Sequence, residues 1–129
     1  MRIVAAALIR KNGKFLICQR PENKTRAFQW EFPGGKAESG ETPQEALRRE
    51  CMEELCIDVN VGELYYELVH EYPDITIRLM LFECEITGGE LTLAEHNAMK
   101  FITPAEIDEY KFCPADEEIL KKLKSEPSR

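Results

Sequence analysis

Glu50, Glu53 and Glu54 stand at i, i+3 and i+4 in the chain, which puts all three carboxylates within about a 100° sector if the segment is helical. Like charges at that spacing cost about a few tenths of a kcal/mol per pair in an isolated helix. A bridging divalent cation removes the cost, because Mg²⁺ and Mn²⁺ take hard carboxylate and carbonyl oxygens. The plainer alternative is a solvated acidic helix face. Two features upstream favour the metal: the Gly34-Gly35 turn, where backbone can approach a ligand closely, and a further acid at Glu41. Arg49 adds a planar fork able to hold one carboxylate in a single rotamer. Together these residue types suit a site that grips a phosphate-bearing ligand through divalent metal.

Such a cluster needs a helix that starts on cue and rests against a core. Thr42-Pro43-Gln44-Glu45 supplies the start, with Thr42 as N-cap, Pro43 at the first helical position and Glu45 closing a capping box. Leu47, Cys51 and Leu55 give the helix a buried stripe, which the carboxylates flank rather than oppose. Ile3 to Ile9 and Phe15 to Gln19 are apolar runs joined at Asn12-Gly13 and are expected to pair as a hairpin. Residues 20 to 29 are polar and unpatterned, a loop leading into Trp30-Glu-Phe-Pro-Gly-Gly35. Val59 to Val69 and Ile75 to Ile86 predict a second hairpin about Tyr72-Pro73-Asp74, followed by Gly88-Gly89. Ala98 to Ile102 is a further strand. A second capping box at Thr103-Pro-Ala-Glu106 opens a short helix, and Ala115 to Lys124 ends the domain with an amphipathic helix carrying Ile119, Leu120 and Leu123. The tail from Ser125 to Arg129 is expected to fray. Strands with one central and one terminal helix predict an α/β fold built on a mixed β-sheet.

A chain of 129 residues with 43% hydrophobic and 32% charged residues is expected to form one domain, residues 1–129, with a real core. Its formal charge of −7 argues against nucleic acid as a partner, since counterion release needs a basic surface. An anionic ligand has to be met by metal and a few placed cations. Five cysteines, none in a CxxC pair, suit the reducing cytoplasm. The apolar run near the N-terminus is too short for a membrane span, and no cleavage-site pattern follows it.

The stretch from Gly35 to Ile57 resembles the signature of the Nudix hydrolases, G-x5-E-x7-R-E-U-x-E-E-x-G-U, where U is apolar. Gly35, Glu41, Arg49, Glu50, Cys51, Glu53, Glu54 and Ile57 fit in register, and only the last glycine fails, being Cys56. Trp30 to Lys36, Glu95 to Phe101 and Pro114-Ala115-Asp116 resemble the MutT branch, so the likeness covers most of the chain. It implies the Nudix-type α/β/α sandwich and a nucleoside triphosphate substrate, hydrolysed to monophosphate and pyrophosphate with Mg²⁺, or Mn²⁺, as cofactor. The chain resembles the 8-oxo-dGTP diphosphatases and the CTP pyrophosphohydrolases, as monomer or homodimer. Hydrolysis of another nucleoside diphosphate derivative, such as ADP-ribose or a dinucleotide, is the alternative. A nucleotide-binding domain without activity is a third reading, against which the intact box acids weigh.

By the same resemblance Glu50, Glu53 and Glu54 are metal ligands together with the carbonyl of Gly34 or Gly35, and Glu41 and Arg49 are structural. Glu53 is the first choice for the acid that accepts the proton and Glu95 the second; Glu95 also reads as a further metal ligand or a surface acid. Arg20 matches a phosphate-clamping arginine of the branch, and Lys36 reads as touching phosphate or only solvent. Cys56 puts a β-carbon where glycine usually provides a left-handed cap, at a cost of about 1 kcal/mol. It leaves every assigned ligand intact.

At the base end, Asp116 stands where the MutT branch carries an asparagine. An amide offers a donor and an acceptor, whereas an ionised carboxylate only accepts. A carboxylate suits the N1–H and N2–H₂ of guanine; a carboxyl that keeps its proton suits N3 and N4–H₂ of cytosine. Asp116 also reads as a cap of the terminal helix. Phe28, Trp30 and Phe112 are the aromatics near these segments, each a candidate to stack on a base or to fill the core.

Overall fold

The computed structural model describes residues 1–127; any fraying at Ser128 and Arg129 lies outside the described residues. Ten residues, β1 (Arg2–Lys11), form the central strand. Its alternation feeds two cores: Ala5, Ala7 and Ile9 face one side, Ala6 and Leu8 the other. The turn Asn12-Gly13, both residues at positive φ, leads into β2 (Lys14–Gln19). The expected hairpin is much shorter than the two apolar runs. β1 and β2 pair only at Arg10↔Phe15 and Lys11↔Lys14 before they part. Further down, β1 is taken by β4 (Gly34–Lys36), antiparallel, and by β6 (Thr76–Gly89), parallel from Arg2↔Ile77 to Ile9↔Cys84. β2 pairs instead with β3 (Trp30–Glu31) and β7 (Ala98–Ile102).

The second hairpin forms as expected, β5 (Ile57–Glu71) running antiparallel to β6. β6 includes Gly88 and Gly89 rather than stopping before them. The sheet is therefore mixed, in the order β3-β2-β1-β6-β5, with β4 and β7 added on β1 and β2. Helix α1 (Pro43–Leu55) covers one face through Leu47, Cys51 and Leu55, all fully buried. Helix α2 (Glu117–Ser125) covers the other through Ile119, Leu120 and Leu123. This is the α/β/α sandwich the sequence predicts.

Pro104–Glu109 and Pro114–Asp116 are turns of 3-10 helix rather than parts of α-helices. The chain end is held better than the tail's composition suggests. Glu126 accepts from the Arg10 guanidinium at 3.1 Å and from the Tyr65 hydroxyl at 2.7 Å. Among the described residues no helix is long and apolar enough to cross a membrane.

Candidate active site

α1 begins where its sequence directs. Thr42 Oγ accepts from the Glu45 N–H at 3.1 Å and the Glu45 carboxylate accepts from the Thr42 N–H at 2.8 Å, closing the capping box. It ends at Cys56, which takes the left-handed conformation (φ 59°, ψ 34°) despite its β-carbon. The helix thus terminates where a glycine would stop it, with some backbone strain left in place.

The Gly34-Gly35 turn sits against both the sheet and this helix. Gly34 has φ 147°, and a β-carbon there would lie 2.1 Å from the carbonyl oxygen of Ala5. A β-carbon on Gly35 would lie 2.5 to 2.8 Å from the carboxyl atoms of Glu50. Gly34 has to be glycine for β1 to pass, whereas glycine at Gly35 leaves room for the Glu50 carboxylate where it stands.

Arg49 organises the acids around the turn. Its Nε and Nη2 donate to the two Glu41 oxygens at 2.8 and 2.9 Å, and Nη1 donates to Glu50 at 2.9 Å and Glu53 at 3.3 Å. Nη2 also reaches the carbonyl of Lys36 at 3.1 Å, tying helix to turn. The Arg49 guanidinium, with help from the Glu38 N–H, holds the Glu41 carboxyl down at about 2.

Glu50, Glu53 and Glu54 differ sharply in surroundings. Glu54 is only 6% exposed and accepts from the Gly34 N–H at 3.1 Å. Burial, then the charges of Glu50 and Glu31, push its pKa up to about 9, and Glu50 is close enough to share a hydrogen bond with it. Glu53 is exposed and touches Arg49 alone among these groups. Among the described residues no three acidic, histidine or cysteine side chains form a ready-made metal cage. Glu50 and Glu54 form a carboxyl pair beside the glycine turn.

This pair opens into a cleft of about 540 Å³. Of the residues singled out by sequence, Arg20, Gly34, Gly35, Lys36, Glu50, Glu54, Glu95 and Asp116 line it. Glu53 does not. Neither do the three aromatics: Phe28 is half exposed at positive φ, Trp30 packs edge-on against Tyr110 with centroids 5.2 Å apart, and Phe112 packs on the α2-side core. The alternation of the short β3 strand turns Trp30 to that core and leaves its neighbour Glu31 on the cleft.

Asp116 is the N-cap of α2, but its side chain makes no capping hydrogen bond. It is 5% exposed, and burial, followed by the charge of Glu31, raises its pKa well above the ordinary range, against the pull of Arg20. Arg20 is already held, Nε to the Thr25 carbonyl at 2.6 Å and Nη1 to Glu31 at 2.9 Å.

Three wall residues escaped the reading of the sequence. Glu31, an acid inside the apolar run Trp30–Pro33, had that misfit as its signal. Tyr72 looked like part of a turn; its hydroxyl accepts from the Ala115 N–H at 2.9 Å while Arg26 stacks on its ring at 3.8 Å. His96 is brought in by its loop, whose Thr92 and Ala94 N–H groups bond to the Leu55 and Glu54 carbonyls.

The family profile described as NUDIX domain matches residues 1–129. The chain is 38% identical over 118 residues to a CTP pyrophosphohydrolase of Escherichia coli strain K12, covering 92% of this chain and 87% of that protein. It is 34% identical over 122 residues to an 8-oxo-dGTP diphosphatase of the same organism, covering 94% and 95%. The solution structure of the E. coli ORF135 protein superposes with a TM-score of 0.81 at 36% identity, covering 97% of this chain and 91% of that one. With its glycine turn, Arg49-held acids and intact sandwich, the chain belongs to the NUDIX family, among its MutT-like hydrolases.

Proposed function

We propose that this protein is a cytoplasmic, Mg²⁺-dependent nucleoside triphosphate pyrophosphohydrolase that releases a nucleoside monophosphate and pyrophosphate, Mn²⁺ being able to substitute. The substrate is (d)CTP or an oxidised nucleotide such as 8-oxo-dGTP, with the cytosine nucleotide favoured. One observation carries the reading: Glu50 and Glu54 converge beside Gly34-Gly35 in the same cleft as Arg20 and Asp116.

The donor set fits a divalent cation. Two adjacent carboxyls, one of them buried, resist ionising together, and a hard cation held by them would offset both burial and repulsion. Glu50 and Glu54 would hold it with a carbonyl of Gly34 or Gly35, and Glu53 would join them from α1. When bound, the cation supplies charge neutralisation at the phosphoryl group and a lowered pKa for the attacking water. Arg49 and Glu41 keep Glu50 in place. Arg20 and Lys36 bind phosphate oxygens. Of the two acids considered as proton acceptor, Glu95 lines the cleft and Glu53 does not, which favours Glu95.

Asp116 reads the base. A carboxyl that retains its proton donates to N3 of cytosine and accepts from N4–H₂; guanine's paired donors need an ionised carboxylate. Adenine presents the same acceptor and donor pair as cytosine. The upward shift at Asp116 therefore suits cytosine and disfavours readout of guanine through its paired N1–H and N2–H₂ donors, in keeping with the relative named for CTP.

A panel of nucleotides incubated with Mg²⁺ and scored by product tests the proposal. Monophosphate plus pyrophosphate from CTP or dCTP is the expected result. Ribose phosphate plus AMP from ADP-ribose, or tight nucleotide binding without turnover, would replace it with another reading.

A further inference from the structure

Three side chains from separate segments are linked along the cleft wall: Arg20 just after β2, Glu31 in β3 and His96 in the loop before β7. Glu31 gives one oxygen to each neighbour. Its Oε1 accepts from Arg20 Nη1 at 2.9 Å, and its Oε2 lies 2.9 Å from His96 Nε2. A carboxylate only accepts, so Nε2 carries the hydrogen. The other ring nitrogen, Nδ1, is buried without a hydrogen-bond partner. An apolar side chain of similar size would avoid this desolvation cost, so what the imidazole contributes in return is its bond to Glu31.

The loop is fastened on both sides of the ring. The Ala94 N–H donates to the Glu54 carbonyl at 3.1 Å and the Asn97 N–H to the Gln19 carbonyl at 2.9 Å. Glu95 and Asn97 are exposed, whereas the His96 side chain is only 4% exposed. Glu31 in turn has reason to be held. Glu54 and Asp116 both lie close enough to feel its charge, so a freely rotating Glu31 would meet a carboxyl group toward either helix. Arg20 is fixed from its other edge by Thr25, through the carbonyl at 2.6 Å and the hydroxyl at 3.2 Å.

We propose that His96 is a positioning residue: its Nε2–H pins Glu31 against Arg20, keeping the guanidinium turned to the polyphosphate and Glu31 apart from the metal-binding carboxylates. The inference rests on the reading of Arg20 as a phosphate contact.

The test compares wild type, His96→Leu, His96→Gln, Glu31→Gln and the Leu/Gln double variant. Two quantities are read: the Kd of Mg-pyrophosphate by calorimetry, and KM and kcat for CTP. His96→Leu is expected to weaken pyrophosphate binding and raise KM about tenfold, the scale of one lost charge-assisted hydrogen bond, with kcat within about threefold and Tm not lowered. His96→Gln, whose amide nitrogen reaches the Nε2 position, should restore affinity to within about threefold of wild type. The double variant should bind no more weakly than Glu31→Gln alone. Unchanged affinity in His96→Leu, failure of glutamine to rescue, or additive losses would each overturn the proposal. If the leucine variant does not fold, Glu31→Gln must still weaken binding while His96→Gln does not; the opposite order sinks it. Absence of CTP turnover in wild type, with the pyrophosphate affinities in the expected order, would overturn the nucleotide assignment and leave the positioning role standing.

Discussion

The Glu50 carboxylate lies against the α-carbon of Gly35, so close that a β-carbon there would stand 2.5 Å from its Cδ. One residue earlier, Gly34 is pressed in the same way against the backbone of Ala5. The two glycines look alike in sequence, yet one touches a movable side chain and the other a fixed strand.

That difference predicts opposite phenotypes. Gly35→Ala should fold within about 1 kcal/mol of wild type, because Glu50 can swing aside, but lose about tenfold or more in kcat as the carboxylate is displaced. Gly34→Ala meets backbone at positive φ and should cost about 3 kcal/mol or more. Thermal melts beside kinetics separate the two; equal Tm losses would refute the distinction.

Glu50→Gln and Glu54→Gln should each lose at least about two decades of kcat, the scale of a lost metal ligand or proton-transfer group, and Glu53→Gln should lose less, because it stands outside the cleft. A stability readout accompanies this. Since Glu54 has a raised folded pKa, about 9 against an ordinary 4.5, its contribution to metal-free stability is full at low pH and is lost as pH rises through that window. A bound cation displaces that proton, so the Mg²⁺-induced gain in Tm should grow from pH 6 to pH 8 in wild type. In Glu54→Gln it should be small and flat. A gain independent of pH in wild type would remove Glu54 from the ligand set.

Asp116 should make recognition of the base depend on pH. Its carboxyl favours the proton in the folded state, so KM for CTP should rise as pH climbs through its raised pKa. Asp116→Asn keeps a donor and an acceptor but cannot ionise, and should flatten that rise while leaving the cytosine preference at low pH. If the slope persists in the asparagine variant, Asp116 is not the titrating reader.

Cys56 carries strain that glycine would relieve. With φ at 59°, Cys56→Gly should stabilise the protein by about 0.5–1 kcal/mol, raising Tm by about 2–5 °C without changing kcat. A lowered Tm would mean that the left-handed cap is held by other contacts.

Much of the site was legible because it is local. From Thr42 to Leu55 the capping residues, the buried stripe and the acids all lie within one helix, where spacing alone decides which side chains share a face. Arg49 reaches Glu41 and Glu50 from the same stretch. Strand identity was legible too, from apolar runs and turn residues. Strand partnership was not: Ile3 to Ile9 carries the pattern of a hairpin strand, but its edge is taken by Gly34–Lys36, a pairing no local pattern records.

The same limit applies to the cleft walls. Trp30 reads as a base platform or a core residue and Glu31 draws no assignment, but which faces the cleft depends on how a two-residue strand docks on β2. Asp116 and Tyr72 lie more than forty residues apart and meet at Ala115. The sequence by itself determined the acidic helix, the glycine turn and the family, because these rest on spacing within a few turns of chain. Tertiary structure alone decided that Glu54 is buried while Glu53 is not, that burial raises the pKa of Asp116, and that Glu31 stands between Arg20 and His96. Burial and charge neighbourhood are set by segments distant in sequence, and they fix what a carboxyl group can do.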